Sequence, residues 1–206
     1  MSDFCLIDFH THRATAEGVI TPRSFGIHPW HAGEETATSP DELYDKYHSN
    51  LRDAEIIGEC GLDKLHENIS RQQQIFEWQL IIAERMQKPV VVHCVRCFNE
   101  LTSLRKRYRA TPWVVHGFTG TTQLAQQLER IGIGISFGAA LIDSKKAKVM
   151  ETFRNYDGPF LLETDTAECG IEAVYHAAAT IKGIGLNELS DMLSNNYNKL
   201  IYNKNA

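Results

Sequence analysis

Short apolar runs rich in β-branched and aromatic residues alternate with longer amphipathic stretches along the whole chain, and this alternation restricts the fold more than any other feature. Strand candidates are Phe4 to Phe9, Ser24 to Ile27, Glu55 to Ile57, Pro89 to Val92, Trp113 to Val115, Gly134 to Phe137 and Pro159 to Leu162. Between and after them lie helical patterns. Asp41 to Leu51 starts behind Ser39-Pro40, with proline in the first turn, and Arg71 to Gln87 sets Ile75, Phe76, Leu80 and Ala83 on one face. Phe98 to Tyr108, Thr121 to Ile131, Ser144 to Phe153, Ile171 to Ile181 and Leu186 to Leu200 complete the set. A run such as Val90-Val91-Val92, apolar throughout, suits a strand covered on both faces, so the pattern predicts an α/β fold with a parallel sheet under helices.

The length of 206 residues allows one large domain or two small ones. Without a Pro/Gly/Ser-rich linker or a repeat, the sequence reads as a single domain over residues 1–206. A hydrophobic share of 43% and a net charge of -5 exclude disorder and low-complexity scaffolds. No run approaches the roughly 18 to 20 apolar residues of a membrane helix, and Asp3 and Asp8 stand where a signal peptide needs a basic start and an apolar stretch. A soluble protein of the cytoplasm is expected, with no membrane and no obligate protein partner. Cys5, Cys60, Cys94, Cys97 and Cys169 are dispersed and odd in number, which suits reduced thiols. The acidic balance gives no global attraction for nucleic acid, so a polyanion must be held locally by metal or by a basic patch.

The reactive side chains fall at strand ends. His10 and His12 follow the first strand candidate, Glu59 follows Ile56-Ile57-Gly58, His93 follows Val90-Val91-Val92, His116 follows Trp113-Val114-Val115, and Asp165 follows Leu161-Leu162-Glu163-Thr164. In a parallel α/β barrel those carboxyl ends converge on one face. Singly, each residue has a bland reading as a hydrogen-bonded or helix-capping group. Together they predict a metal site. His-x-His sends both imidazoles to one side of an extended segment, so one ion can take both, and a bridging carboxylate with two further histidines provides for a second. Four imidazoles and two carboxylates suit zinc or manganese.

These residues resemble the TatD family of metal-dependent deoxyribonucleases, within the amidohydrolase-like barrels. The likeness runs through Asp8-Phe9-His10-Thr11-His12, Gly26-Ile27-His28-Pro29-Trp30, Ile57-Gly58-Glu59-Cys60-Gly61-Leu62-Asp63, Gln73 to Gln79 and Pro89 to His93. It continues through Trp113 to Gly120, Ser136-Phe137-Gly138, Leu161 to Asp165 and Asn195-Asn196 to Leu200. The resemblance implies a TIM-like (β/α) barrel, distorted or with a reduced eighth strand, because only seven strands are clear and an eighth between about Ala179 and Leu186 is very short or missing. It implies two divalent ions (Zn, Mn or Mg): one on His10, His12 and Asp165, a second on His93 and His116, with Glu59 bridging. A water between the ions would be activated near neutral pH to hydrolyse a phosphodiester of DNA, trimming 3′ ends. Asp165 is the candidate general base, with a plain ligand as the alternative.

Asp8 and Glu163, each two residues before a ligand, are expected to orient ligands. His28 is assigned to a substrate phosphate or a bridging water, and His31 to structure. Arg96 is either a phosphate clamp or a surface loop residue. Asp63 either orients the neighbours of Glu59 or, the preferred reading, caps the next helix. Cys94-x-x-Cys97 reads as buried thiols rather than a zinc clip, and Arg105-Lys106-Arg107-Tyr108-Arg109 as a solvated helix end. After Asp165 the run Thr166-Ala167-Glu168-Cys169-Gly170 lacks the Ser-Pro-Tyr type of loop common in the family, and the later Asn-Glu-Pro is also missing. Two rivals therefore stand beside DNA cleavage: a hydrolase of a small ester, amide or phosphoester, and a non-catalytic metal-binding barrel.

Overall fold

The computed structural model describes residues 5–14 and 16–202, so Asp3 and Phe4 lie outside the described residues. Two compact units make up the chain, one formed by the segment up to Pro22 together with everything from His116 onward, the other by Arg23–Val115. The first unit opens with β1 (Leu6–Ile7), which pairs in parallel with β2 (Val19–Ile20). β2 is not among the expected strands; it has only two residues, too few for a periodic signal.

The second unit runs β3 (Ser24–Phe25), α1 (Pro40–Asp53), β4 (Ile56–Asp63), α2 (Ile69–Met86), β5 (Val90–Val95), α3 (Phe98–Arg107) and β6 (Trp113–Val115). Its strands are parallel, with β4 between β3 and β5, and β5 between β4 and β6. Helix α1 starts where the sequence sets a cap: Ser39 Oγ accepts the Glu42 N–H at 3.1 Å, and Pro40 occupies the first turn. Helix α2 buries Ile75, Phe76, Leu80 and Ala83, the expected face, and with them Gln72 and Gln79.

The first unit resumes with α4 (Thr122–Arg130), β7 (Ile133–Phe137), α5 (Ala147–Asn155), β8 (Phe160–Leu162), α6 (Ile171–Lys182) and α7 (Leu186–Tyr202). β7 and β8 are parallel, Ile135 opposite Phe160. Beyond β1 the backbone of residues 9–12 runs beside the end of β8: Phe9 N–H donates to Leu162 O at 3.0 Å, Asp165 N–H to His10 O at 2.9 Å, and His12 N–H to Asp165 O at 3.0 Å. No strand lies between Ala179 and Leu186. The alanine run Ala177-Ala178-Ala179 carries α6 on to Lys182, a left-handed Gly183 (φ 69°) ends it, and α7 begins three residues later. β4, β6, β7 and β8 are buried along their whole length, as parallel strands covered on both faces must be. No helix among the described residues is long and apolar enough to cross a membrane.

Candidate metal centre

Glu59 owes its position to an irregularity in β4. Ile57 pairs with Val90 but Cys60 with Val92, so three steps along β4 match two along β5. The additional residue makes a bulge, a device that re-aims a side chain. Two glycines permit the close strand contact. A Cβ on Gly58 would lie 2.4 Å from Val91 O, and one on Gly61, where φ is +150°, 2.0 Å from His93 O.

Around that bulge the second unit gathers a donor set. His93 Nδ1 lies 2.6 Å and His28 Nε2 3.3 Å from the same Glu59 oxygen, Oε1. His28 is turned this way because its Nδ1 accepts the Trp30 N–H at 3.2 Å. The other nitrogen of His93, Nε2, faces Asp63 Oδ2 at 3.4 Å. Helix α2 holds the frame through its two buried glutamines. Gln79 Oε1 accepts the Ile27 N–H at 2.7 Å while its Nε2 donates to Ile27 O at 3.1 Å, and Gln72 grips the backbone of Asp63 in the same way at 2.8 and 3.1 Å.

The first unit gathers a second set. His10 and His12 project to the same side of their extended segment, with ring centroids 4.9 Å apart, and their Nε2 atoms lie 3.9 and 3.5 Å from Asp165 Oδ1. The His116 ring sits 4.8 Å from that of His10. Asp165 takes a left-handed backbone conformation (φ 51°), one of the sparsely populated states found where a site dictates direction. Behind the donors, Glu163 is fully buried. Its Oε1 faces His116 Nδ1 at 3.3 Å and accepts the Gly117 N–H at 2.7 Å, and its Oε2 accepts the Ser136 hydroxyl. Burial pushes the Glu163 carboxyl up, but the bond from His116, the nearby His116 and His10 rings and the Ser136 bond outweigh it and hold the group below its ordinary range. Asp8 goes the other way: burial raises its pKa despite two bonds from Thr164, at 2.9 Å from the N–H and 2.6 Å from the hydroxyl.

Both sets offer donors that could hold a metal ion. Donors ~2.1 Å from a tetrahedral ion are ~3.4 Å apart. The 3.3 Å between His28 and Glu59 and the 3.5 Å between His12 and Asp165 match that spacing. The donor atoms of His10, His12 and Asp165 all lie within 4.8 Å of one another, as do those of His28, Glu59 and His93. The carboxylates behind His93 and His116 orient those rings as outer partners of metal-binding histidines do.

The structure alters several sequence expectations. His28, expected to meet a substrate phosphate or a bridging water, lies beside Glu59 and His93, with donor atoms close enough to join theirs. Asp63 does not cap α2, whose N-cap is Asn68; it lies at the end of β4, accepts the Leu65 N–H at 2.8 Å and the Trp30 indole N–H at 2.9 Å, and backs His93. Burial raises the pKa of Asp63, but the bonds from Trp30, Leu65 and His93 more than offset it, and the net shift is downward. Arg105 is not solvated. It is buried, donates to Tyr108 O and Thr111 O at 3.2 and 2.7 Å, and lies over the Trp113 ring. Arg96 is exposed, in a left-handed conformation (φ 57°). The five cysteines are free thiols; burial pushes Cys94 up to about 12, and neither it nor Cys97 joins a donor group. Roles that sequence reasoning missed belong to Gln72, Gln79, Trp30, Ser136 and Thr164. The buried glutamines on an otherwise apolar helix face were the available signal.

Residues 8–202 match the sequence profile of the family described as TatD related DNase. Among curated proteins, the uncharacterised metal-dependent hydrolase YjjV of Escherichia coli K12 is 28% identical over 149 residues, which is 70% of this chain and 58% of that protein. The 3′-5′ ssDNA/RNA exonuclease TatD of Pantoea ananatis is 24% identical over 204 residues, 85% of this chain and 75% of that one. The chain thus spans between about half and three quarters of these two relatives. Among solved structures, the E. coli TatD homologue YjjV superimposes with a TM-score of 0.76 at 24% identity, covering 91% of this chain and 78% of that one. A TatD family hydrolase from Entamoeba histolytica gives 0.75 at 19% identity, covering 91% and 76%. At that identity the likeness establishes the fold alone, a TIM-like (β/α) barrel.

Proposed function

Because this chain belongs to the family of TatD related DNases, we propose that it is a divalent-metal-dependent hydrolase that cleaves phosphodiester bonds of DNA, trimming from the 3′ end. What carries the proposal is the pair of imidazole and carboxylate donor sets, one in each unit, each with donor atoms close enough to share an ion. Following the family pattern, His10, His12 and Asp165 would hold one ion and His93 and His116 a second, with Glu59 serving both. Ions bound there would lower the pKa of a coordinated water toward neutrality and polarise a phosphoryl oxygen. Asp165 serves as general base through a carboxylate oxygen. Glu163, facing His116 Nδ1, and Asp63, facing His93 Nε2, orient those two rings. His28, beside Glu59, and Arg96, with its planar fork, are assigned to the substrate phosphate. The single domain expected over residues 1–206 is the catalytic unit.

The decisive assay uses labelled single- and double-stranded oligonucleotides with Mg²⁺, Mn²⁺ or Zn²⁺. Metal-dependent shortening from the 3′ end is expected; cleavage no faster than that of the His10→Ala/Glu59→Ala double variant would sink the proposal. A small ester, amide or phosphoester is the second candidate substrate, favoured by the net charge of -5 and by the Thr166 to Gly170 segment. A steep fall of oligonucleotide affinity with salt would count against it, because phosphate contacts release counterions.

A further inference from the structure

Trp30 takes no part in the chemistry above, yet it is tied to the donors that do. It lies on the single 3₁₀ turn Pro29–His31, is 53% exposed, and stacks on the His66 ring with centroids 4.3 Å apart and planes 23° from parallel. Leu65 beside it is 63% exposed. Trp30, Leu65 and the exposed His66 line one groove, where an aromatic face stays open to a ligand. One carboxylate joins that surface to the donor set: Asp63 Oδ2 accepts the indole N–H at 2.9 Å and faces His93 Nε2 at 3.4 Å, while Oδ1 accepts the Leu65 N–H at 2.8 Å and so sets the turn that presents His66. The indole is therefore fixed before any ligand arrives, and its ring centroid is 6.4 Å from that of His93.

Beside the stacked rings is a groove of about 550 Å³ whose lining includes Trp30, Leu65, His66, Glu34, Glu67 and Asn68. No Lys or Arg lines it, which argues against a phosphate there. The carboxylates and the amide instead offer partners to the edge of a flat polar ring, and the aromatic faces offer stacking to its plane. We propose that Trp30 and His66 form a stacking platform for the nucleobase of the nucleotide whose phosphate is held beside His93 and Glu59. The platform rests on the phosphodiesterase proposal above and adds a subsite to it: the chain grips the base and the phosphate of one nucleotide from a single rigid frame pinned by Asp63.

Two measurements test it. In the first, the metal-loaded protein is titrated with deoxyadenosine monophosphate and, separately, with deoxyribose 5-phosphate. Trp78 and Trp113 are buried, so saturable quenching of tryptophan fluorescence by the nucleotide, absent with the sugar phosphate and lost in Trp30→Leu, is expected. Equal responses to the two ligands overturn the platform. In the second, kcat/KM is compared for oligonucleotides ending in a normal or an abasic 3′ nucleotide. Stacking on one aromatic platform predicts a preference of about tenfold for the normal end, reduced toward one in Trp30→Leu and largely restored in Trp30→Phe. A wild type indifferent to the base overturns the platform, as does a Trp30→Leu variant that slows both substrates equally, since that marks a positioning role through Asp63. If the wild type cleaves neither oligonucleotide, the hydrolase proposal fails, and the fluorescence titration still decides the platform.

Discussion

Replacing Gln79 by leucine should loosen the segment that carries His28 while leaving the shape of α2 intact. Gln79 is 2% exposed and makes two hydrogen bonds to the backbone of Ile27, the residue before His28. Leucine nearly fills the same volume, so the cavity contribution is small. What is lost is a partner for the Ile27 N–H and another for its C=O, each worth ~1–3 kcal/mol when left unsatisfied. Ile27 is half-buried, so water recovers part of this, and a net loss of about 3 kcal/mol is expected. With a urea m-value of roughly 2 kcal/mol per molar, the unfolding midpoint should fall by about 1.5 M. The assay is urea denaturation followed by tryptophan fluorescence, with Gln74→Leu on the exposed side of the same helix as the control, expected to change stability by less than ~0.5 kcal/mol. A Gln79→Leu midpoint within about 0.3 M of the wild type would refute the inference that this side chain supports the His28 segment.

Gly61→Ala sets a Cβ 2.0 Å from the His93 carbonyl oxygen at a φ only glycine favours, so the variant should lose about 3 kcal/mol or more, and a thermal midpoint within a few degrees of the wild type would contradict the packing described. Ser136→Ala withdraws a hydroxyl from the buried Glu163 carboxylate behind His116; metal affinity measured by calorimetry should fall by about 10- to 100-fold, and unchanged affinity would remove Glu163 from the support of that ring. Burial alone would raise the pKa of Glu35, but bonds from Lys46, the Ala37 N–H and Tyr47, each 2.8 Å long, hold it below its usual 4.5. Its stabilisation is therefore complete above pH 4.5 and is lost as pH falls through the lowered folded-state value. The stability gap between wild type and Glu35→Gln should be widest near neutrality and close in that acid range; a gap independent of pH would show that the charge is not what matters.

Much of the site was legible because metal chemistry restricts residue type. His10, His12, His116 and Asp165 follow the short strands β1, β6 and β8, while Glu59 and His93 lie inside β4 and β5, which run on past the apolar stretches that mark them in the sequence; strand period alone sets His10 and His12 on one side. The fold class followed from apolar runs such as Val90 to Val92. What escaped depends on groups that sequence leaves uncommitted. A glutamine on a helix reads as a surface residue, yet Gln72 and Gln79 are buried because backbone groups at Asp63 and Ile27 need partners. Arg105 looked like part of a basic run, but the Tyr108 and Thr111 carbonyls and the Trp113 ring capture it. Of the two options for Asp63 the preferred one, helix capping, fails, because the bend after β4 brings Leu65 N–H to one oxygen while Trp30 and His93 reach the other.

Counting bound metal tests the central claim most directly. Protein stripped with chelator, reloaded with Zn²⁺ or Mn²⁺ and freed of excess ion should carry two ions per chain by elemental analysis, and one in either the His10→Ala/His12→Ala or the His93→Ala variant. A wild type that retains no ion, or variants that retain as many as the wild type, would contradict it.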